Sequence, residues 1–270
     1  MNSRAVRGLL IAAVVIAVAV GGTFAVRAAL KTNPFSASGC TVGDYSLDTS
    51  QAAVASTMVG VIARRGLPER AAVLVLAAAL QESKLRNLAS GDGDRDSVGV
   101  LQQRPSQGWG TATQLNDLRF ATGAFLDALL AKVPDWRHTD LAVAIQKVQI
   151  SADGNAYAQH EGEAQALAHA LMGKLPAGIT CSFEKPSDVA PVATVVTEVV
   201  RDLPVRTPTT GPSTVQVPGA AWQTAAWFVA NADRLGIDKV AFDGKQWTRA
   251  KGWQSATASA TAVVATMYQK

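Results

Sequence analysis

Polar and apolar positions alternate in a few distinct ways along the chain, and each way predicts a different element. From Leu9 to Val26 there are eighteen uncharged, mostly apolar residues, just enough to span a bilayer as a helix. Arg4 and Arg7 precede this run, and Arg27 and Lys31 follow it. A cleaved signal peptide and a core helix compete with an uncleaved signal-anchor. The length of the apolar run and the absence of a clean small-x-small cleavage site favour the anchor. The two flanks carry equal basic charge, so the positive-inside rule does not orient it. After a polar stem at 32–48, helical periodicity predicts a helix from Thr49, an N-cap candidate, to Arg65. Gly66-Leu67-Pro68 interrupts it, and Pro68 suits the first turn of a second helix running to Ser83. From Ala71 to Leu80 that second helix is apolar on every side, which predicts a course through the middle of a domain.

Residues 86–111, rich in Gly, Asp, Ser and Pro, read as a loop or small β-hairpin. Helical patterns return at about 117–132, 139–150 and 160–173. Six of the eleven prolines then fall within 184–218, among Val and Thr, and predict an extended linker. The last stretch holds four of the six tryptophans, a helical pattern at about 220–235 and β-like runs near 238–242, 245–248 and 260–267. The expected organisation is a cytoplasmic tip and anchor at 1–31, the stem at 32–48, a helical domain at 49–183, the linker at 184–218 and a small module at 219–270. The fold class expected is mainly α, with a loop or β wing, plus a small C-terminal α+β module.

Composition changes this picture little. Nearly half the 270 residues are apolar, enough for a sizeable core, and the net charge of +4 suits an anionic polymer without forming the basic stripe of a nucleic-acid binder. The two cysteines matter more. An anchor would place Cys40 and Cys181 outside the cytoplasm, where disulfides persist, so a disulfide between them is expected, closing a loop of about 140 residues, one whole domain.

Candidate chemistry centres on Glu82, at the point where the all-apolar helix meets a polar loop. A carboxyl at the mouth of an apolar core loses water and its pKa rises. It then holds a proton that it can donate to a glycosidic oxygen. A solvated helix-end glutamate is the plainer reading of the same position. Asp92-x-Asp94-x-Asp96 opens like an EF-hand loop, but Ser97 and Gln103 stand where such a loop needs Gly and Glu. A turn-rich solvated loop is the better reading, and Asp96 supporting the site stands between that and metal binding. No cofactor or metal is expected, and His138, His160 and His169 have no ligand spacing with the cysteines.

Gln81-Glu82-Ser83 is similar to the Glu-Ser signature of lytic transglycosylases and goose-type lysozymes. Ser97-Val98-Gly99-Val100-Leu101-Gln102 resembles the superfamily's Gly-hydrophobic-hydrophobic-Gln motif. The stretch from Gln81 to Gly110 resembles a group of actinobacterial, membrane-anchored, wall-directed lysozyme-like proteins with a short C-terminal module. Residues 148–161 also fit that group, and the resemblance spans about 40–181. It implies peptidoglycan as the partner, membrane attachment through one N-terminal helix, and an extracytoplasmic position facing the cell wall. It also implies Glu82 as catalytic acid, with Ser83, Asp96, Gln102, Gln103, Trp109, Gln149 and Tyr157 binding substrate or supporting the site. One departure stands out. Where transglycosylases place a Tyr that hydrogen-bonds the catalytic Glu, this chain reads Val143-Ala-Ile-Gln-Lys-Val-Gln149. Gln146, Gln149, or Tyr157 from the next segment are the replacements available.

The implied activity is cleavage of glycan strands between N-acetylmuramic acid and N-acetylglucosamine, with anhydro products formed by a single Glu acting as acid and then base. A lysozyme-type hydrolase, with Asp96 as the second carboxylate, and a wall-binding scaffold without turnover are the alternatives.

Overall fold

The computed structural model describes residues 38–89, 91, 95–151, 154–219 and 221–269. The apolar run Leu9–Val26 lies outside the described residues, and among those described no helix is long and apolar enough to cross a membrane. Asp92 and Asp94 also lie outside them.

The chain enters through two short strands, β1 (Gly39–Val42) and β2 (Tyr45–Leu47), in the stretch expected as a stem. Helix α1 (Thr49–Arg64) follows, capped by Asp48 rather than Thr49. The Asp48 carboxylate accepts from the Gln51 amide at 2.8 Å, and the Gln51 side chain accepts from the Asp48 amide at 2.7 Å. This reciprocal pair satisfies two otherwise orphaned donors. Helix α2 (Glu69–Ser83) has every residue from Ala71 to Leu80 buried. It is flanked by α1 and by three later helices, α4 (Leu118–Lys132), α5 (Leu141–Gln149) and α6 (Glu161–Leu171), while the short α3 (Ala112–Leu115) packs on α4. Strand β3 (Thr180–Ser182) then returns to pair with β1, giving a three-stranded antiparallel sheet in the order β2-β1-β3. Cys40 faces Cys181 directly across that pair, and the two are joined as a disulfide.

The remainder overturns two expectations. Residues 184–218 are not an extended linker. Pro191 precedes helix α7 (Val192–Asp202), whose Val195, Val199 and Asp202 are buried. Strands β4 (Thr209–Thr210) and β5 (Thr214–Pro218) follow, with Val215 and Val217 buried. The helical spacing of Val195, Val199 and Asp202 was hidden among β-branched residues, which carry little helix propensity of their own. The fold is also not mainly α. Among the described residues helix makes up 46% and strand 17%, with antiparallel sheets of three and six strands, so the architecture is mixed. The larger sheet runs β4-β5-β9-β6-β7-β8. It joins β6 (Ile237–Phe242), β7 (Lys245–Thr248), β8 (Gly252–Ser255) and β9 (Ala262–Met267) to the two strands from the expected linker. Helices α8 (Trp222–Ala230) and α9 (Ala232–Leu235) complete this part.

Ser38–Lys270 form one compact unit, because polar groups tie the late elements to the early ones. Asp202, 2% exposed, accepts hydrogen bonds from the Trp227 indole at 2.7 Å and the Arg119 guanidinium at 2.7 Å, with the Thr57 hydroxyl at 3.4 Å. A buried carboxylate is tolerated only with such partners. Helix α7 lies close enough to α1 that a Cβ at Gly60 would come within 2.8 Å of the Asp202 carbonyl. The Trp247 and Trp253 indoles donate to the carbonyls of Cys181 and Ile179 at 2.9 and 2.8 Å, fastening the larger sheet to strand β3.

Replacing both Cys40 and Cys181 with alanine is expected to lower stability by about 3–5 kcal/mol, since the bond closes a long loop in the unfolded chain. Urea denaturation of the double variant, compared with the oxidised protein, measures this.

Candidate functional site

Glu82 occupies the last turn of α2, where the buried helix runs out of core. Lys84 (φ 54°) and Leu85 (φ 58°) turn the chain sharply after Ser83, and Leu85 is buried completely. The partly buried Glu82 carboxyl lies at the wall of a cleft of about 410 Å³, which Gln102, Gln103, Arg104, Trp109 and Gln149 also line. Glu82 is the one carboxylate among the described residues of that lining. The Tyr157 hydroxyl donates to Glu82 Oε1 at 2.6 Å. Burial holds the Glu82 pKa above the ordinary carboxyl value, against the opposing effect of hydrogen bonds from Tyr157 and Gln149. Because Tyr157 donates to Oε1, the proton of the acid form belongs on Oε2.

Tyr157 comes from a 3-10 segment, Gly154–His160, and is buried completely. Burial, together with the bond to Glu82, raises its own pKa, so it stays a donor. Gln81, one residue before the acid, holds the end of that segment: its Oε1 accepts from Gln159 at 3.1 Å and pairs with His160 Nε2 at 3.0 Å. Of the three replacements available for the missing tyrosine, Tyr157 makes the 2.6 Å bond, and Gln149 also acts on the same carboxyl. Gln146 is instead engaged with Ser151, donating to its carbonyl and accepting from its hydroxyl at 2.9 Å each.

The loop bearing the glutamines is fastened to both helices. The Ser83 hydroxyl donates to the Val100 carbonyl at 2.7 Å and accepts from the Arg86 amide at 3.1 Å. Gln149 Nε2 donates to the Leu101 carbonyl at 2.8 Å. Gly99 adopts φ 77°, and a Cβ there would run into the Leu115 carbonyl, so both its torsion and its surroundings demand glycine. Val98 and Gln103 form a single antiparallel bridge, the small β feature of this region. Gln102, with φ 47°, lines the cleft while its amide donates back to the Gly99 carbonyl at 2.9 Å. Gln103 is 2% exposed and reaches the Ala121 carbonyl at 3.4 Å.

Asp96 does not line the cleft. Hydrogen bonds from Ser106, then from Arg104, hold its carboxyl well below the usual carboxylate range. The Ser106 amide lies 2.8 Å from one oxygen and Arg104 Nε 2.6 Å from the other. Asp96 thus braces the loop and positions Arg104. Trp109 is partly buried against the core, with the Lys132 ammonium 5.5 Å from its ring centre. Arg95, Arg104, Gln107, Ile150 and Ser151 also line the cleft, though none of them was among the residues expected there. The only signal for Ile150 was an isoleucine where a helix-ending Gly or Asn is usual.

No protein-family model matches the chain, and no curated protein matches it.

Two variants test this geometry. Because the folded Glu82 pKa is raised, its protonated form is favoured by folding. Stability is therefore fully present below the unfolded carboxyl pKa and declines as pH rises through the folded one. Glu82→Gln should accordingly raise the melting temperature relative to the parent at pH 8 but change it little at pH 4. Gly99→Ala should cost about 1–3 kcal/mol by straining the loop, measured by chemical denaturation.

Proposed function

We propose that this chain cleaves the glycan strands of peptidoglycan as a lytic transglycosylase, with Glu82 acting as acid and then base. The observation that carries the reading is the half-buried Glu82 carboxyl, bonded on one oxygen by Tyr157 and facing a cleft with no second carboxylate among its described lining residues. The Arg95 and Arg104 side chains in the same lining suit a polymer that carries carboxylates. The disulfide fits an extracytoplasmic position, and the N-terminal apolar run supplies the membrane anchor of this proposal.

The reaction follows from the protonation state. Glu82 Oε2 gives its proton to the glycosidic oxygen as the bond to C1 breaks and an oxocarbenium-like centre forms. The neighbouring N-acetyl oxygen of the sugar stabilises that centre. Glu82 is now a carboxylate, held by the donors Tyr157 and Gln149, which favour its charged form. It removes the proton from the sugar's own 6-hydroxyl as that oxygen bonds to C1. The ring closes to a 1,6-anhydro product, and Glu82 is again protonated. Tyr157 is a positioning residue in this scheme.

A hydrolytic course needs a second carboxylate to activate water, roughly 6.5–9.5 Å from the acid. Asp96 is poorly suited, since both its oxygens are engaged by Arg104 and Ser106. A wall-binding protein without turnover would instead bind glycan and release no soluble fragment.

Mass spectrometry of fragments released from purified peptidoglycan tests the proposal. Anhydro ends are expected; reducing ends would indicate hydrolysis. Glu82→Gln should lower turnover by about 100- to 10,000-fold, and retention of full activity would remove Glu82 from the mechanism. Tyr157→Phe deletes a bond that lowers the Glu82 pKa. The alkaline limb of the pH–rate profile, where the acid loses its proton, should therefore move to higher pH.

A further inference from the structure

Ile150 departs from the pattern of the rest of the molecule. It is the residue that ends α5, with φ 54° and ψ 47°. Gly and Asn adopt this left-handed conformation readily, whereas β-branched side chains avoid it. Its amide caps the helix by donating to the Gln146 carbonyl at 2.9 Å, a bond that Gly or Asn would make equally well. The side chain is 73% exposed, more than any other large hydrophobic residue among those described. The contrast with Leu85 is direct: Leu85 has nearly the same φ, 58°, but is 0% exposed, so packing compensates for its backbone. At Ile150 no such packing compensates for the strain.

The position of Ile150 supplies a reason. It lines the cleft of Glu82 and also a second cleft of about 500 Å³, lined further by Ala128, Lys132 and Val148. The two clefts share Gln107, Trp109, Gln149 and Ile150, so they adjoin along that boundary. A polymer passing from one to the other would cross Ile150. We infer that Ile150 is a substrate-contact residue: an apolar lip that the acetamido methyl and apolar face of an N-acetylated sugar cover as the strand runs between the two clefts. Contact with such a sugar removes from water the apolar surface that the fold leaves exposed. The inference rests on the reading of the cleft as a glycan groove.

The test is equilibrium binding of a β-1,4-linked hexamer of N-acetylglucosamine to the purified chain carrying Glu82→Gln, so that turnover does not interfere. Ile150→Asn and Ile150→Gly are compared with that parent, and the de-N-acetylated hexamer serves as the second ligand. Both substitutions relieve the backbone, so the melting temperature should hold or rise. Affinity for the acetylated hexamer should fall about tenfold, equivalent to about 1.4 kcal/mol, and the preference over the de-N-acetylated hexamer should shrink. Unchanged affinity, or a lower melting temperature with either substitution, would overturn the inference. A parent that binds the hexamer while unsubstituted protein releases nothing from peptidoglycan would refute the transglycosylase reading alone. No binding by the parent would refute both.

Discussion

The burial of α2 is the constraint from which the rest of the site follows. Ala71 to Leu80 are surrounded on all sides, so the helix has no solvent face on which to place a charge. Its first charged residue after that run, Glu82, falls in the last turn, where the helix is only partly covered. The carboxyl is therefore neither fully hydrated nor fully enclosed. Partial desolvation raises its pKa, and the adjacent cleft leaves it within reach of a ligand. The helix sets both properties at once, because each depends on where the apolar packing stops.

Around that carboxyl the polar groups mostly position one another. Ser83 and Gln149 hold the carbonyls of Val100 and Leu101, and Gly99 lets the same loop press against the Leu115 backbone. Gln81 clamps the segment that carries Tyr157. Asp96 restrains Arg104. These donors are held in place by the fold itself, with no bound ligand needed to position them. Ile150 is the exception: its side chain stays exposed, and nothing among the described residues packs on it to offset its strained backbone.

The C-terminal part is built into the body of the protein. Strand β5, from the proline-rich stretch, is an inner strand of the six-stranded sheet, paired between the short edge strand β4 and β9. Asp202 at the end of α7 gathers Arg119 and Trp227 from elements far apart in sequence. The indoles of Trp247 and Trp253 seal the strand that carries the disulfide. Trp247 and Trp253 thus serve as internal fasteners: Trp247 is completely buried, and Trp253 is partly buried against the core.

Local signals in the sequence were enough for some features. The unbroken apolar run of 71–80 announces a buried helix, and its polar end marks Glu82. Gly66-Pro68 and the Gly- and Asp-rich stretch mark where helices stop, and the Gly99 motif marks a tight loop. These depend only on neighbours along the chain. The tertiary structure decided what depends on distant residues. Tyr157, seventy-five positions from Glu82, supplies its hydrogen bond, because the turn after α5 brings the 3-10 segment back to the end of α2. Asp96, next to the motif in sequence, is drawn away by Arg104 and Ser106. The valines and threonines of 184–218 read as a linker until α1 and β9 provide the surfaces they bury against. Periodicity reports which face of an element is apolar; only the folded chain reveals what that face meets.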